Sequence, residues 1–173
     1  MRDRSPVREG GAAATRREPL QPPSAEGPSL PRVLAARRSC REFARRRLTD
    51  LEAGSLLWAG QGVTSPQGFR AAPSAGGLHP LTLTLVDGRG VWRYQPDGHV
   101  LVLVRVGDKR RQLAAAALGQ EAVAEAPASI VVTANSAVLG PHYRERAERY
   151  CILEAGHVAQ NVVPVGAARS DGP

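Results

Sequence analysis

The β-prone runs that follow residue 80 limit most sharply what this chain can fold into. LTLTLV (81–86), VWRYQ (91–95) and VLVLVRV (100–106) are separated only by DGRG and PDGH. Asp-Gly between alternating, β-branched runs is the sequence form of a tight hairpin, so the three runs predict an antiparallel meander. A further apolar run, ASIVVTAN (128–135), predicts a buried strand.

Helices are predicted on both sides of the meander. In LTDLEAGSLLWAGQG, Thr49 with Glu52 three places on forms a capping box. Leu51, Ser55 and Trp58 share one face there, and Gly60 or Gly62 closes the helix. Ser29 and Pro31 suit the start of a helix in SLPRVLAARRS, after which CREF reads as a short extended piece. Asp108 caps KRRQLAAAALG, which stops at Gly119. YRERAERYCILEAGHVAQNVV carries a long helix opened by His142 and Tyr143. Its second half is small or apolar on nearly every face, which predicts packing against another helix or another subunit. Helices and strands in this order suit an α+β fold.

Residues 1–30 are rich in Pro, Gly, Ala, Ser and Arg with few large apolar side chains, so they read as a disordered basic leader before an ordered domain over 31–173. The whole of the +7 net charge lies in the first 47 residues; beyond them acids and bases balance. Such an excess fits either an anion pocket with a solvated arm or a nucleic-acid surface. No aromatic residue interrupts the tail, which counts against nucleic acid. Cys40 and Cys151 sit in unrelated contexts, which argues against a disulfide scaffold or zinc ribbon and fits a reducing cytoplasm. No apolar run is long enough for a membrane span.

Four clusters carry candidate chemistry. Arg37, Arg38, Ser39 and Arg41 offer forked donors and a hydroxyl at a helix end, suited to phosphate, or simply form a solvated basic end. RAAPSAGGLHPL (70–81) sets small residues between Pro73 and Pro80. Such a run is either a plain surface loop or a place where main chain approaches a flat ligand closely. Glu154 and His157 form half of a di-iron carboxylate motif with no second pair, so no metal is expected, and His157 with Gln160 reads as interface polarity. His142 and Tyr143 can exchange protons, or form a surface pair at a helix start.

Taken together and in order, RRSCREF, LTDLEAGSLLWAGQGVTSPQGFRAAPSAGGLHPLTL, VWRYQPDGHVL, AAALGQEAVAEAPASIVV and YRERAERYCILEAGHVAQN resemble the FMN-dependent nitroreductase family, most closely its SagB-type (azoline oxidase-like) dehydrogenases. The resemblance covers about Pro31 to Gly166. It implies a nitroreductase-like α+β fold, with a central antiparallel or mixed sheet flanked by helices, that forms a homodimer holding FMN at the subunit interface. Arg37, Arg38, Ser39 and Arg41 would then hold the phosphate and ribityl chain. Pro73, Ser74, Ala75 and Gly76 would line the flavin from the partner subunit, and Pro164, Val165 and Gly166 would lie against the ring. Hydride would pass through flavin N5 to or from a nitro, quinone or peptide azoline substrate, with NAD(P)H as a candidate electron donor. His142 and Tyr143 stand where azoline-oxidising relatives place a Lys-Tyr pair, and would be the catalytic residues. Two departures matter. In relatives the AGHVAQN helix runs on for about 15 Å before its Pro-x-Gly segment, and they continue beyond the position of Pro173. The alternative these departures imply is a catalytically inactive, truncated scaffold or interaction subunit.

Overall fold

The computed structural model describes residues 16–24 and 27–168, with side chains as far as Val163. In chain order the regular elements are β1 (Arg17–Pro19), α1 (Leu30–Ala36), α2 (Asp50–Gln61), β2 (Leu81–Asp87), β3 (Gly90–Gln95), β4 (Val100–Val106), α3 (Arg110–Ala116), α4 (Glu121–Glu125), β5 (Ala128–Ala134), α5 (Gly140–Tyr143) and α6 (Ala147–Ala168). The five strands form one antiparallel sheet in the order β1-β4-β3-β2-β5. This is the α+β architecture expected, with the 81–106 meander at its centre.

The first hairpin owes its shape to Asp87. Its Oδ1 accepts from the amides of Arg89 and Gly90 at 2.8 and 3.1 Å and from Trp92 Nε1 at 3.2 Å. A buried carboxylate is tolerated because its lone pairs are filled in this way. Trp92 enters the core as Leu85's cross-strand partner, and the Arg89 guanidinium lies 4.9 Å from the indole centre.

One face of the sheet packs on α2 and α6. Leu57 of α2, Leu83 and Leu85 of β2, Trp92 of β3, Leu101 of β4 and Val158 of α6 are essentially without solvent contact. Each such side chain contributes roughly 1.5–3 kcal/mol by leaving water. The helices come close because Gly60 of α2 carries no side chain: a Cβ there would lie 2.8 Å from Leu83 and 3.3 Å from Val158. The capping box opens α2 as expected, Thr49 accepting from the Glu52 amide and Glu52 from the Thr49 amide. Gly62, not Gly60, is its C-cap. Asp108 accepts from the Arg110 amide, and Leu118 and Gly119, at φ +61° and +73°, end the turns after α3.

Four expectations need correction. Residues 1–30 are not wholly a leader apart from the fold. The part before Arg16 lies outside the described residues, but Arg17–Pro19 adds an edge strand to β4, and Glu18 meets Arg89 at 2.9 Å. β5 is not buried; it pairs only with β2 at the opposite border and stays half-exposed. His142 and Tyr143 do not open the long helix, because they lie in α5, and Arg144 at φ +49° breaks the chain before α6. Finally, Pro164, Val165 and Gly166 are not a separate segment but helical backbone near the end of α6, with no turn-forming residue between Asn161 and Pro164 to stop the helix sooner.

Candidate functional site

The loop from Arg70 to Pro80 follows α2 and leads into β2. Gly76 and Gly77 hold φ of +61° and +66°, values that L residues with side chains adopt at a cost. The loop closes on itself: the Gly77 amide donates to Ser74 O at 3.0 Å and the His79 amide to Ser74 Oγ at 2.9 Å. Its base is tied to α2, where the Ala71 amide donates to Gly62 O and Arg70 Nη1 to buried Gln61, both at 2.9 Å.

The other ties come from α6. The Ala75 amide donates to Glu154 Oε1 at 2.8 Å, and Asn161 Nδ2 donates to Ala71 O at 3.3 Å. Residues seven apart on an α-helix lie within about 20° of each other, so one face of α6 presents both groups to the loop. Val158 lies between them in the core. In the sequence Glu154 stands out only as half of an incomplete metal motif, and Asn161 not at all. Their spacing was the available signal. Among the described residues no cluster suited to a metal ion occurs.

Tyr143 faces the same loop. Its hydroxyl lies 3.1 Å from where a Cβ on Gly76 would be. Leu78 and Tyr143 pack with Leu139, Ala147 and Cys151, and the Tyr143 ring meets Tyr150 edge-on at 4.8 Å. His142 is exposed beside it, ring centres 6.4 Å apart. Gly76 and Tyr143, remote in sequence, therefore meet. Burial lowers the pKa of His79, Arg70's charge acts in the same direction, and Glu154 opposes both.

The arginine cluster lies elsewhere. Arg37, Arg38, Ser39 and Arg41 line a cavity of about 720 Å3 together with Phe43, Leu56, Val162 and Val163 of the facing walls. That volume is within the range of roughly 300–1,000 Å3 usual for small-molecule sites. Arg38 is partly engaged, since its Nη1 donates to Ala35 O and Arg37 O at 3.0 and 2.8 Å and so caps α1. Arg46 is held by Glu52 at 2.6 Å, which raises the arginine's pKa and lowers that of Glu52 to about 2. Arg37 and Arg41 have no acidic partner among the described residues, which leaves their guanidinium groups available to an anion. None of Pro73, Ser74, Ala75 or Gly76 lines this cavity. α6 links the two places, Glu154 at the loop and Val162 at the cavity, about 12 Å apart along the helix.

Both places suit a cofactor with a phosphate at one end and a flat ring at the other. The cavity supplies cations and apolar walls; the loop supplies exposed main chain at Gly76 and Gly77.

Comparison with known proteins gives the family. The model of the Nitroreductase family matches residues 34–172. The "Putative nitroreductase MJ1384" of Methanocaldococcus jannaschii is 39% identical over 149 residues, covering 83% of this chain and 75% of its own length. The crystal structure of a "putative nitroreductase" from Ralstonia eutropha JMP134 superposes with a TM-score of 0.79 at 31% identity, over 88% of this chain and 72% of that one. A chain of the Escherichia coli microcin synthetase McbBCD complex with truncated pro-MccB17 bound shares the fold, with a TM-score of 0.62 at 22% identity over 73% of this chain and 51% of its own.

Proposed function

The chain belongs to the nitroreductase family, and on that premise we propose that it is an FMN-dependent oxidoreductase that works as a homodimer. The observation that carries this reading is the division of the site. Arg37, Ser39 and Arg41 line a cavity in one place, while Gly76 and Tyr143 meet in another, and none of Pro73–Gly76 or Tyr143 lines that cavity. A homodimer that sets the loop of one copy over the cavity of the other would unite them. The face of α6 that bears exposed Ile152, Leu153 and Val163 favours such an assembly.

In this reading Arg37 and Arg41 bind the phosphate, and Arg38 adds its remaining N–H groups while capping α1. Ser39 serves the ribityl chain, and the Pro73–Gly76 backbone lines the ring. FMN, when bound, supplies hydride exchange at N5. Tyr143, held by Tyr150 and Leu78, orients the substrate, and exposed His142 beside it receives or delivers the proton. Nitro compounds, quinones and peptide azolines are the substrate classes proposed, with NAD(P)H as electron donor in the reductive cases. The fold shared with a chain of the microcin synthetase complex supports keeping azolines among them. Free Cys40 and Cys151 suit a reducing cytoplasm.

Purified protein should carry flavin absorbance and elute as a dimer. Removing two charged donors at about 1.5–3 kcal/mol each, as in Arg37→Ala with Arg41→Ala, should weaken FMN binding by roughly two to four orders of magnitude. Folded wild-type protein that stays colourless with excess FMN would overturn the proposal. That result would favour the second reading, a non-catalytic subunit, to which the helical backbone of Pro164–Gly166 lends support.

A further inference from the structure

Among the described residues, two buried side-chain polar atoms have no hydrogen-bond partner: Glu154 Oε2 and His79 Nδ1. Both belong to residues that already hold the Ser74–Gly77 loop. Glu154, only 4% exposed, accepts the Ala75 amide through its other oxygen, and His79 donates its amide to Ser74 Oγ. A buried carboxylate oxygen left without a donor is unfavourable, and the same holds for an unused buried ring nitrogen. The two vacancies are complementary if His79 carries its proton on Nδ1, because the carboxylate only accepts. The residues also sense one another electrostatically, Glu154 opposing the effect of burial on the imidazole. His79 tolerates φ +50° in this place, a conformation that a non-glycine residue keeps only when its surroundings impose it.

We propose that Glu154 and His79 act together as positioning residues, the Nδ1 proton of His79 being shared with Glu154 Oε2 through one bridging water, so that the Ser74–Gly77 backbone is held in a single ligand-ready shape. The arrangement ties the loop at Ala75 from α6 and at Ser74 from the loop's own far end. Neither residue touches the reacting atoms; each acts through main chain. The structural claim stands on the protein alone, while its functional sense rests on the flavin reading.

Two measurements on the flavin-free full chain test it. Nitrogen-15 NMR of the His79 ring should show the Nδ1–H tautomer in the wild type. In Glu154→Gln, whose amide donates where the carboxylate only accepts and so reverses the water's hydrogen bonding, the ring should change to the Nε2–H tautomer. Hydrogen exchange at the Ala75 amide should quicken at least tenfold in Glu154→Ala and be restored most of the way in Glu154→Gln. His79→Asn, which leaves the α6 face intact, should also quicken it and serves if Glu154→Ala fails to fold. An Nε2–H tautomer in the wild type, or Ala75 exchange indifferent to all three substitutions, would overturn the proposal. FMN titration then separates the two ideas. If wild-type protein binds FMN, His79→Asn should weaken it about tenfold, and unchanged affinity counts against the positioning role. If wild-type protein takes up no FMN while tautomer and exchange behave as stated, the coupled pair stands and the flavin reading falls.

Discussion

Gly60 offers the sharpest test of how α2, α6 and the sheet are packed. An alanine Cβ there would lie 2.8 Å from Leu83 Cδ1, with Val158 Cγ1 and Val162 Cγ2 at 3.3 Å. Two effects compete. Within a helix, Gly→Ala gains about 1 kcal/mol from reduced backbone freedom in the unfolded chain. Against it, one added carbon in a filled core costs about 1–3 kcal/mol. Leu83 is 1% exposed and Val158 has no exposure, so neither has open space to rotate into. The clash therefore exceeds the gain, and Gly60→Ala should lose about 1 kcal/mol net, lowering Tm by roughly 2–4 °C at this chain length. Gly156 of α6 gives the internal comparison, since within the protomer a Cβ there meets nothing within 4 Å. Gly156→Ala should raise Tm by a similar amount in a monomer, and lower it if that face of α6 is covered by a second copy. Paired thermal and denaturant unfolding would measure both. A Gly60→Ala protein as stable as the wild type, or more so, would refute the reasoning that this glycine is required for close packing.

Other consequences follow from the same geometry. Gly76→Ala imposes a side chain at φ +61° and brings a carbon 3.1 Å from the Tyr143 hydroxyl, so it should cost about 1 kcal/mol and perturb Tyr143 in aromatic NMR spectra. Glu52 has its pKa lowered to about 2 from 4.5, first by the Arg46 hydrogen bond, so its contribution to stability is complete above pH 4.5 and disappears as the pH falls towards 2. Glu52→Gln should accordingly flatten the acid limb of the stability profile, and an unchanged slope would count against the ion pair. Gly54→Ala would place a carbon 2.9 Å from Gln21 O and 3.2 Å from His99 Nε2. It should loosen the 16–21 segment, read as faster exchange at the Leu20 amide, which donates to His99 O at 2.9 Å.

Legibility from the sequence tracked the range of the forces involved. The Thr49–Glu52 box and the Asp-Gly turns are satisfied within a few residues, so their pattern was readable directly. Arg17–Pro19 was not, because its pairing with Val100–Val102 lies far along the chain and three residues ending in a proline carry no periodicity. The break at Arg144 was hidden for a similar reason: nothing in GPHYRERAERY requires it until Tyr143 packs on Leu78 and Tyr150. Within the site, the small-residue loop and the arginines announced themselves by composition. The α6 residues that hold the loop did not, because Glu154 and Asn161 acquire meaning only once helix phase and the position of Ala71 and Ala75 are known.

The short β1 has a practical consequence for anyone redesigning the chain. Starting it at Pro31, where composition alone suggests the domain begins, would strip the sheet of one border. The main-chain donors and acceptors of Val100–Val102, now matched by Arg17–Pro19, would face water beside the largely uncovered Val104 and Val106. An unguarded strand of that kind recruits its own like, and the trimmed protein should precipitate or form ribbons where the longer one stays dispersed.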